Sequence, residues 1–441
     1  MRLVLMAVVL AGSCTGCGAG YSNAAQGRDA APDSPNGIAA DGAVAVDGTA
    51  DRAVASDAGL TDDAGIVVAT ADGAVPSEAG PTSPCNVVGT LSCAGQQPQA
   101  CGANGQWGDV GAPCPDTSVC SNGVCVQCGP GSIRCNDLCV DVQADNSNCG
   151  GCGLMCTVGC HSGQCLITLA NGQPGAIAVD STSVYWIPFG NSTVLKTPVG
   201  GGTTVPLASG QNGPMDIAVD VTTVYWTTAT AVMSTPLDGG TIATLASSVH
   251  PSKIVVGPAQ VYWIDSGDAI MTVPLDGGSA TTVASDPNGP RGLALDTSNI
   301  YWTDYTGGTV MKLPLGGGMP SPLASGQGNP LGIALDTTNV YWADVSDNGT
   351  IMKLPVGGGM PAPLATGQSQ TGGIVSDGLS LFWANQGDAT VWTVPISGSA
   401  QPTMLLSVQY DVGAIAVDET SIYFAGYVLP DQPALMKLTP K

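Results

Sequence analysis

From Leu166 onward, short apolar runs alternate with clusters of Gly, Asp, Asn, Ser and Thr, and the pattern returns about every 40 residues. One unit shows the arrangement. Gly292-Leu293-Ala294-Leu295, Ile300-Tyr301-Trp302-Thr303, Val310-Met311-Lys312-Leu313 and Pro322-Leu323-Ala324-Ser325 are strand-length runs, the central ones rich in β-branched and aromatic residues. Asp296-Thr297-Ser298-Asn299, Gly307-Gly308, Gly316-Gly317-Gly318 and Gly326-Gln327-Gly328-Asn329-Pro330 punctuate them as turns. The first two runs are apolar on both faces, as a sheet stacked between two others requires. No helix-period apolar pattern competes after the N-terminus.

Aligned on its aromatic pair, the unit recurs at Tyr185-Trp186, Tyr225-Trp226, Tyr262-Trp263, Tyr301-Trp302, Tyr341-Trp342, Phe382-Trp383 and Tyr423-Phe424. An acid precedes each pair at Asp180, Asp220, Asp296, Asp336, Asp377 and Asp418, with Gly257 in its place in the third unit. Four strands per repeated unit predict an all-β fold, a β-propeller of four-stranded blades over 166–441. The last unit stops at Leu435-Met436-Lys437-Leu438 and lacks a fourth strand. Leu166 to Gln173 is a fourth-strand run with no unit of its own, so pairing the two ends closes the ring. The count is seven blades, with six plus a decayed unit as the alternative.

The repeat resembles the YWTD propellers of the LDL-receptor family across 166–441. Tyr301-Trp302-Thr303-Asp304 matches that motif in full, and Tyr341-Trp342-Ala343-Asp344 and Tyr262-Trp263-Ile264-Asp265 nearly so. Leu237-Asp238-Gly239 and Leu275-Asp276-Gly277 repeat a companion turn of the family, and Pro290 to Asp296 its lead-in. The final acid is replaced at Pro188, Thr228, Asn385 and Gly426, and the family's ring has six blades.

Upstream of Leu166 the pattern changes twice. Residues 18–84 are an Ala/Asp/Gly/Val/Pro stretch whose only aromatic is Tyr21, too little apolar surface to offset the entropy of ordering. Such a linker has a root-mean-square reach of roughly 45 Å. Residues 85–165 hold fourteen of the sixteen cysteines, and none follows. Cys85, Cys93, Cys101, Cys114, Cys120 and Cys125 form one even set within 85–127. Cys128, Cys135, Cys139, Cys149, Cys152, Cys156, Cys160 and Cys165 form another within 128–165. Both read as disulfide frameworks needing an oxidising compartment, with connectivity left open. Cys149-Gly150-Gly151-Cys152 also fits half of a zinc knuckle, completed by Cys156, Cys160 or His161, or a redox pair; disulfides are preferred. Cys139-Val140-Asp141, Asn148-Cys149-Gly150-Gly151-Cys152-Gly153 and Gly163-Gln164-Cys165 resemble the stigma-specific cysteine-rich family, which implies a secreted module and no chemistry.

The leader, 1–17, has Arg2, the apolar run Leu3 to Ala11, then Gly12-Ser13-Cys14-Thr15-Gly16-Cys17. It resembles a bacterial lipoprotein signal, which implies lipidation at Cys17 (or Cys14) and an extracytoplasmic place, on the outer membrane, at the cell surface or secreted.

Net charge of -23, from 34 acids against 11 bases, opposes nucleic acid or anionic lipid as a partner. Contact with membrane is expected through the lipid anchor alone. The recurring Asp is read as a turn cap, because a catalytic residue is needed once and a cap in every blade. Lys196, Lys312, Lys353 and Lys437, recurring on the third strand, are read as solvated stems. Specificity is expected where the repeats disagree, such as Gly257, Tyr305 or Tyr427 in the loops. No catalytic, cofactor or metal site is expected from the two histidines, His161 and His250. The favoured function is a monomeric binding or scaffold protein gripping protein or glycan; a secreted propeller lyase or hydrolase acting at the channel mouth is the alternative.

Overall fold

The computed structural model describes residues 85–136, 138–266, 268–285, 288–345, 349–398, 400–408, 412–427 and 432–439. The expected leader, with Cys14 and Cys17, and the linker lie outside these residues.

The chain folds as a β-propeller. Six four-stranded antiparallel sheets follow one another between residues 174 and 407, each with its strands in chain order. The fifth blade is typical, with strands Pro330–Leu335, Asn339–Asp344, Thr350–Pro355 and Ala362–Thr366. A seventh sheet closes the circle. There Pro433–Thr439 pairs with Ile422–Tyr427 on one side and with Gln164–Asn171 on the other. The start of the repeat region thus supplies the fourth strand of the last blade, and the first strand of each blade neighbours that of the next around the full cycle.

The core lies between the sheets. Trp186, Trp226, Trp263, Trp302, Trp342 and Trp383 are fully buried, as are Tyr185, Tyr225, Tyr301, Tyr341 and Tyr423. The second strands are buried on both faces, which explains why they do not alternate. Turns after the first and third strands share one face of the ring, here the turn face. Loops after the second strand, and the linkers between blades, share the opposite loop face. Tyr427, which the pattern assigns to a loop, ends the strand Ile422–Tyr427.

Seven disulfides hold the N-terminal region. Cys85–Cys101, Cys93–Cys120 and Cys114–Cys125 bridge the first cysteine set. Cys128–Cys139, Cys135–Cys152, Cys149–Cys160 and Cys156–Cys165 bridge the second. Cys149 and Cys152 belong to different bridges, so the Cys-Gly-Gly-Cys step is neither a redox pair nor half of a zinc knuckle. The strand Gly159–His161 pairs with Gln164–Asn171 as a fifth strand of the seventh blade, and Cys165 lies in that closing strand. The second cysteine set is therefore sewn directly to the ring closure.

Candidate functional site: recurrent seams and an irregular channel mouth

The recurrent polar residues come first, because they are the obvious candidates for chemistry. Asp336 Oδ1 accepts backbone N–H groups from Thr338 and Asn339, and its Oδ2 accepts the Tyr341 hydroxyl at 2.6 Å. Asp180, Asp220, Asp296 and Asp418 repeat both halves of this arrangement with Tyr185, Tyr225, Tyr301 and Tyr423. Asp377 caps its turn in the same way although Phe382 brings no hydroxyl. The carboxylate is thus a bolt between a turn and a buried phenol.

The lysines correct their sequence reading. Lys353 Nζ donates to the Ile396 carbonyl of the next blade at 2.9 Å while lying 5.7 Å from the centre of the Tyr341 ring. Lys196 reaches the Leu237 carbonyl, Lys312 that of Val356 and Lys437 that of Val199, each over its own blade's tyrosine. These are half-buried staples between blades, not solvated stems. Periodicity alone could not show this, because the acceptor is a main-chain carbonyl of the neighbouring blade. Lys437, reaching Val199, stitches the last blade to the first.

The second blade offers a test of the staple. It keeps the Asp220–Tyr225 bond but places Ser234 opposite Tyr225, where the fifth blade has Lys353 opposite Tyr341. Ser234→Lys is expected to reach the Leu275 carbonyl and raise the thermal midpoint. Lys353→Met is expected to lower stability by about 1–3 kcal/mol, from a charged hydrogen bond and a cation–π contact. Equal midpoints for both variants and the parent in a thermal melt would contradict the staple.

Titration follows the same bonds. Burial alone would raise the Asp180, Asp296, Asp336 and Asp418 carboxyls, but their hydrogen bonds outweigh it and hold all four below the usual value of 3.8. A carboxyl lowered in the folded state contributes stability above its unfolded value and loses it as pH falls through the folded one. Burial pushes Asp216 and Asp344 upward instead, and those two act with the opposite sign. Asp145 is lowered too, by its bonds from Asn148 and Ser147, and with five groups against two the urea midpoint is expected to fall below about pH 4. A midpoint that rose on acidification would show the raised pair to dominate.

The blades differ where their inner strands begin, on the loop face. One position before Ile177, Ile217, Ile254, Leu293, Ile333, Ile374 and Ile415 stand Ala176, Asp216, Lys253, Gly292, Gly332, Gly373 and Ala414. The glycines let neighbouring strands close up: a Cβ on Gly332 would stand 2.9 Å from the Gly372 carbonyl oxygen. Blades two and three carry charge instead. Asp216, 3% exposed, accepts the Ile254 N–H at 3.0 Å through Oδ2. Its Oδ1 faces Lys253 Nζ at 3.8 Å, and neither atom has a hydrogen-bond partner among the described residues. Thr227 crosses this seam, accepting the Asp216 N–H and donating to the Ser252 carbonyl; Thr303 does the same from Gly292 to Leu331. The motif threonine is therefore a cross-blade link where it occurs.

The next position outward is Gly175, Met215, Ser252, Arg291, Leu331, Gly372 and Gly413. Arg291 is exposed, with its guanidinium carbon 5.9 Å from the Tyr305 ring centre. His250 sits exposed in the linker between blades two and three, in a left-handed conformation with φ of 49°. His161 lies in the disulfide-held hairpin. Gly257 takes the place of the capping acid in blade three, where Thr272 meets Gln260 and the Val261 carbonyl. Tyr305 was singled out by its irregularity in sequence; Asp216 and Lys253 were missed. Their signal was a charge where every other unit has Gly or Ala.

Fold and disulfides together define a β-propeller protein with a cysteine-rich N-terminal region. No protein-family model matches the chain, and no curated protein sequence is significantly similar to it. Solved structures are similar to it in fold. Selenomethionine virginiamycin B lyase from Staphylococcus aureus superposes with a TM-score of 0.53 at 16% identity, covering 63% of this chain and 99% of its own. A streptogramin B lyase superposes at 0.54 and 14% identity, covering 63% and 98%. A nidogen/laminin complex structure matches over 55% of this chain and 99% of its own, at 20% identity and a TM-score of only 0.40. The likeness is one of fold.

Proposed function

We propose that the chain is an extracytoplasmic binding or scaffold protein, tethered through a lipidated Cys17 and presenting its propeller to a protein or glycan. One observation carries this reading. The polar groups that recur around the ring, five Asp–Tyr pairs and four lysines, are bonded within and between blades. They are parts of the scaffold and leave the loop face, where the repeats differ, to set specificity. Seven disulfides fit an extracellular protein and agree with export. An acidic linker of 67 residues, 18–84, would lift the ring clear of a membrane surface.

Two measurements test this. The full chain, used as bait on intact bacterial envelope, is expected to retain a partner that survives Asp336→Asn but not substitutions on the loop face. Turnover of a polysaccharide or lactone panel that disappears in His250→Ala would favour the lyase or hydrolase instead. Labelling by palmitate analogues should vanish in a Cys14/Cys17 double Ser variant.

A further inference from the structure

Eleven lysines and arginines serve the whole chain, and seven lie after residue 165. Lys196, Lys312, Lys353 and Lys437 are spent on staples, and Lys441 lies outside the described residues. Two cations remain, Lys253 and Arg291. They open adjacent inner strands at the same end of the channel. In a chain this acidic, that coincidence is informative.

Acids stand at the same end, but Asp265 is held by Ser248 and Val249, and Asp304 is buried against Thr309. Asp216 and Lys253 offset each other across their seam, and Arg291 stands beside them with no ion pair among the described residues. Tyr305 supports the guanidinium by its face, which fixes the group without using its in-plane donors. The surroundings are hydroxyls and amides. Ser252, just before Lys253, donates to the Ile264 carbonyl, the Asn329 amide to that of Tyr305 and Thr306 to that of Asn288, so their oxygens keep the capacity to accept. Such groups match a polyol better than they match apolar peptide side chains.

We infer that the loop-face mouth at blades three and four binds a carboxylate-bearing sugar, with Arg291 pairing the carboxylate in its fork. This deepens the glycan half of the binding reading and rests on it. Planar bidentate pairing favours arginine over lysine. Lys253 keeps Asp216 from repelling the same anion. Net charge of -23 opposes long polyanions at a distance, so a short oligomer at moderate salt is the proper probe.

The experiment is titration of the disulfide-intact full chain with trigalacturonate at about 0.15 M salt, where repulsion beyond about 8 Å is screened. Saturable binding is expected, weakened roughly tenfold or more in Arg291→Ala and only partly restored by Arg291→Lys. Neutral maltotriose should not compete. Absence of trigalacturonate binding, or binding equal in parent and Arg291→Ala, overturns the site. So does an Arg291-dependent preference for an acidic peptide over the sugar. Retention of envelope material independent of Arg291 overturns this site while leaving the broader binding reading in place, so the two failures are distinguishable. Arg291 is exposed, and an unchanged thermal midpoint shows that the variant is folded.

Discussion

Deleting 433–441 is expected to abolish cooperative folding of the whole ring, although it removes one strand of a single blade. Pro433–Thr439 is the third strand of the seventh blade and contacts both of its neighbours, Ile422–Tyr427 and Gln164–Asn171. Without it the closing strand has no partner to pair with except the short strand Gly159–His161. Ala434, Leu435, Met436 and Leu438 are all buried at 1% exposure or less, so their burial is lost as well. Each such side chain contributes about 1.5–3 kcal/mol when buried, except the smaller alanine. Together with the unpaired edges, these losses are comparable to the whole stability of most domains, about 5–15 kcal/mol. The measurement is a urea melt followed by tryptophan fluorescence, since six tryptophans sit inside the ring. A deletion variant that melted cooperatively at the parental midpoint would show that the ring closes some other way.

Asp336→Ala is expected to destabilise the protein by about 2–4 kcal/mol. The change removes the acceptor for two turn N–H groups and strands the hydroxyl of Tyr341, whose side chain is fully buried. An orphaned buried hydroxyl costs about 1–3 kcal/mol by itself. Tyr341→Phe removes the other partner and, since Phe382 occupies this position naturally, should cost less. A double-mutant cycle isolates the pair. If the hydrogen bond is the reason, the double variant will be less destabilised than the two single losses added together. Strict additivity would mean that turn capping alone carries the effect.

Much of the fold was legible because a propeller blade writes its needs four times in about 40 residues and then repeats them. Buried Val-Tyr-Trp runs, Gly-Gly turns and a capping Asp are local demands, so local sequence displays them. Ring closure was legible for another reason: an unfinished unit at one end matched a surplus strand at the other. Seams between blades were not. Lys353 and Ile396 meet only after the chain has turned through a whole blade, and a lysine on a strand carries no mark of where its amine ends. Disulfide pairing was equally hidden. Cys149 and Cys152 sit in a spacing that suggests partnership, yet the fold sends them to Cys160 and Cys135. The mouth was half visible. Tyr305 drew notice as an irregular aromatic, but Asp216 and Lys253 needed the ring to bring adjacent blades side by side.

The central claim is that the repeated polar residues hold the ring while the irregular mouth sets recognition. The most direct measurement compares Asp336→Asn with Arg291→Ala for thermal midpoint and for trigalacturonate affinity, both below the lower midpoint. The account predicts a lowered midpoint with unchanged affinity for Asp336→Asn, and the reverse for Arg291→Ala. Loss of affinity in a folded Asp336→Asn variant, with Arg291→Ala binding as the parent does, would contradict it.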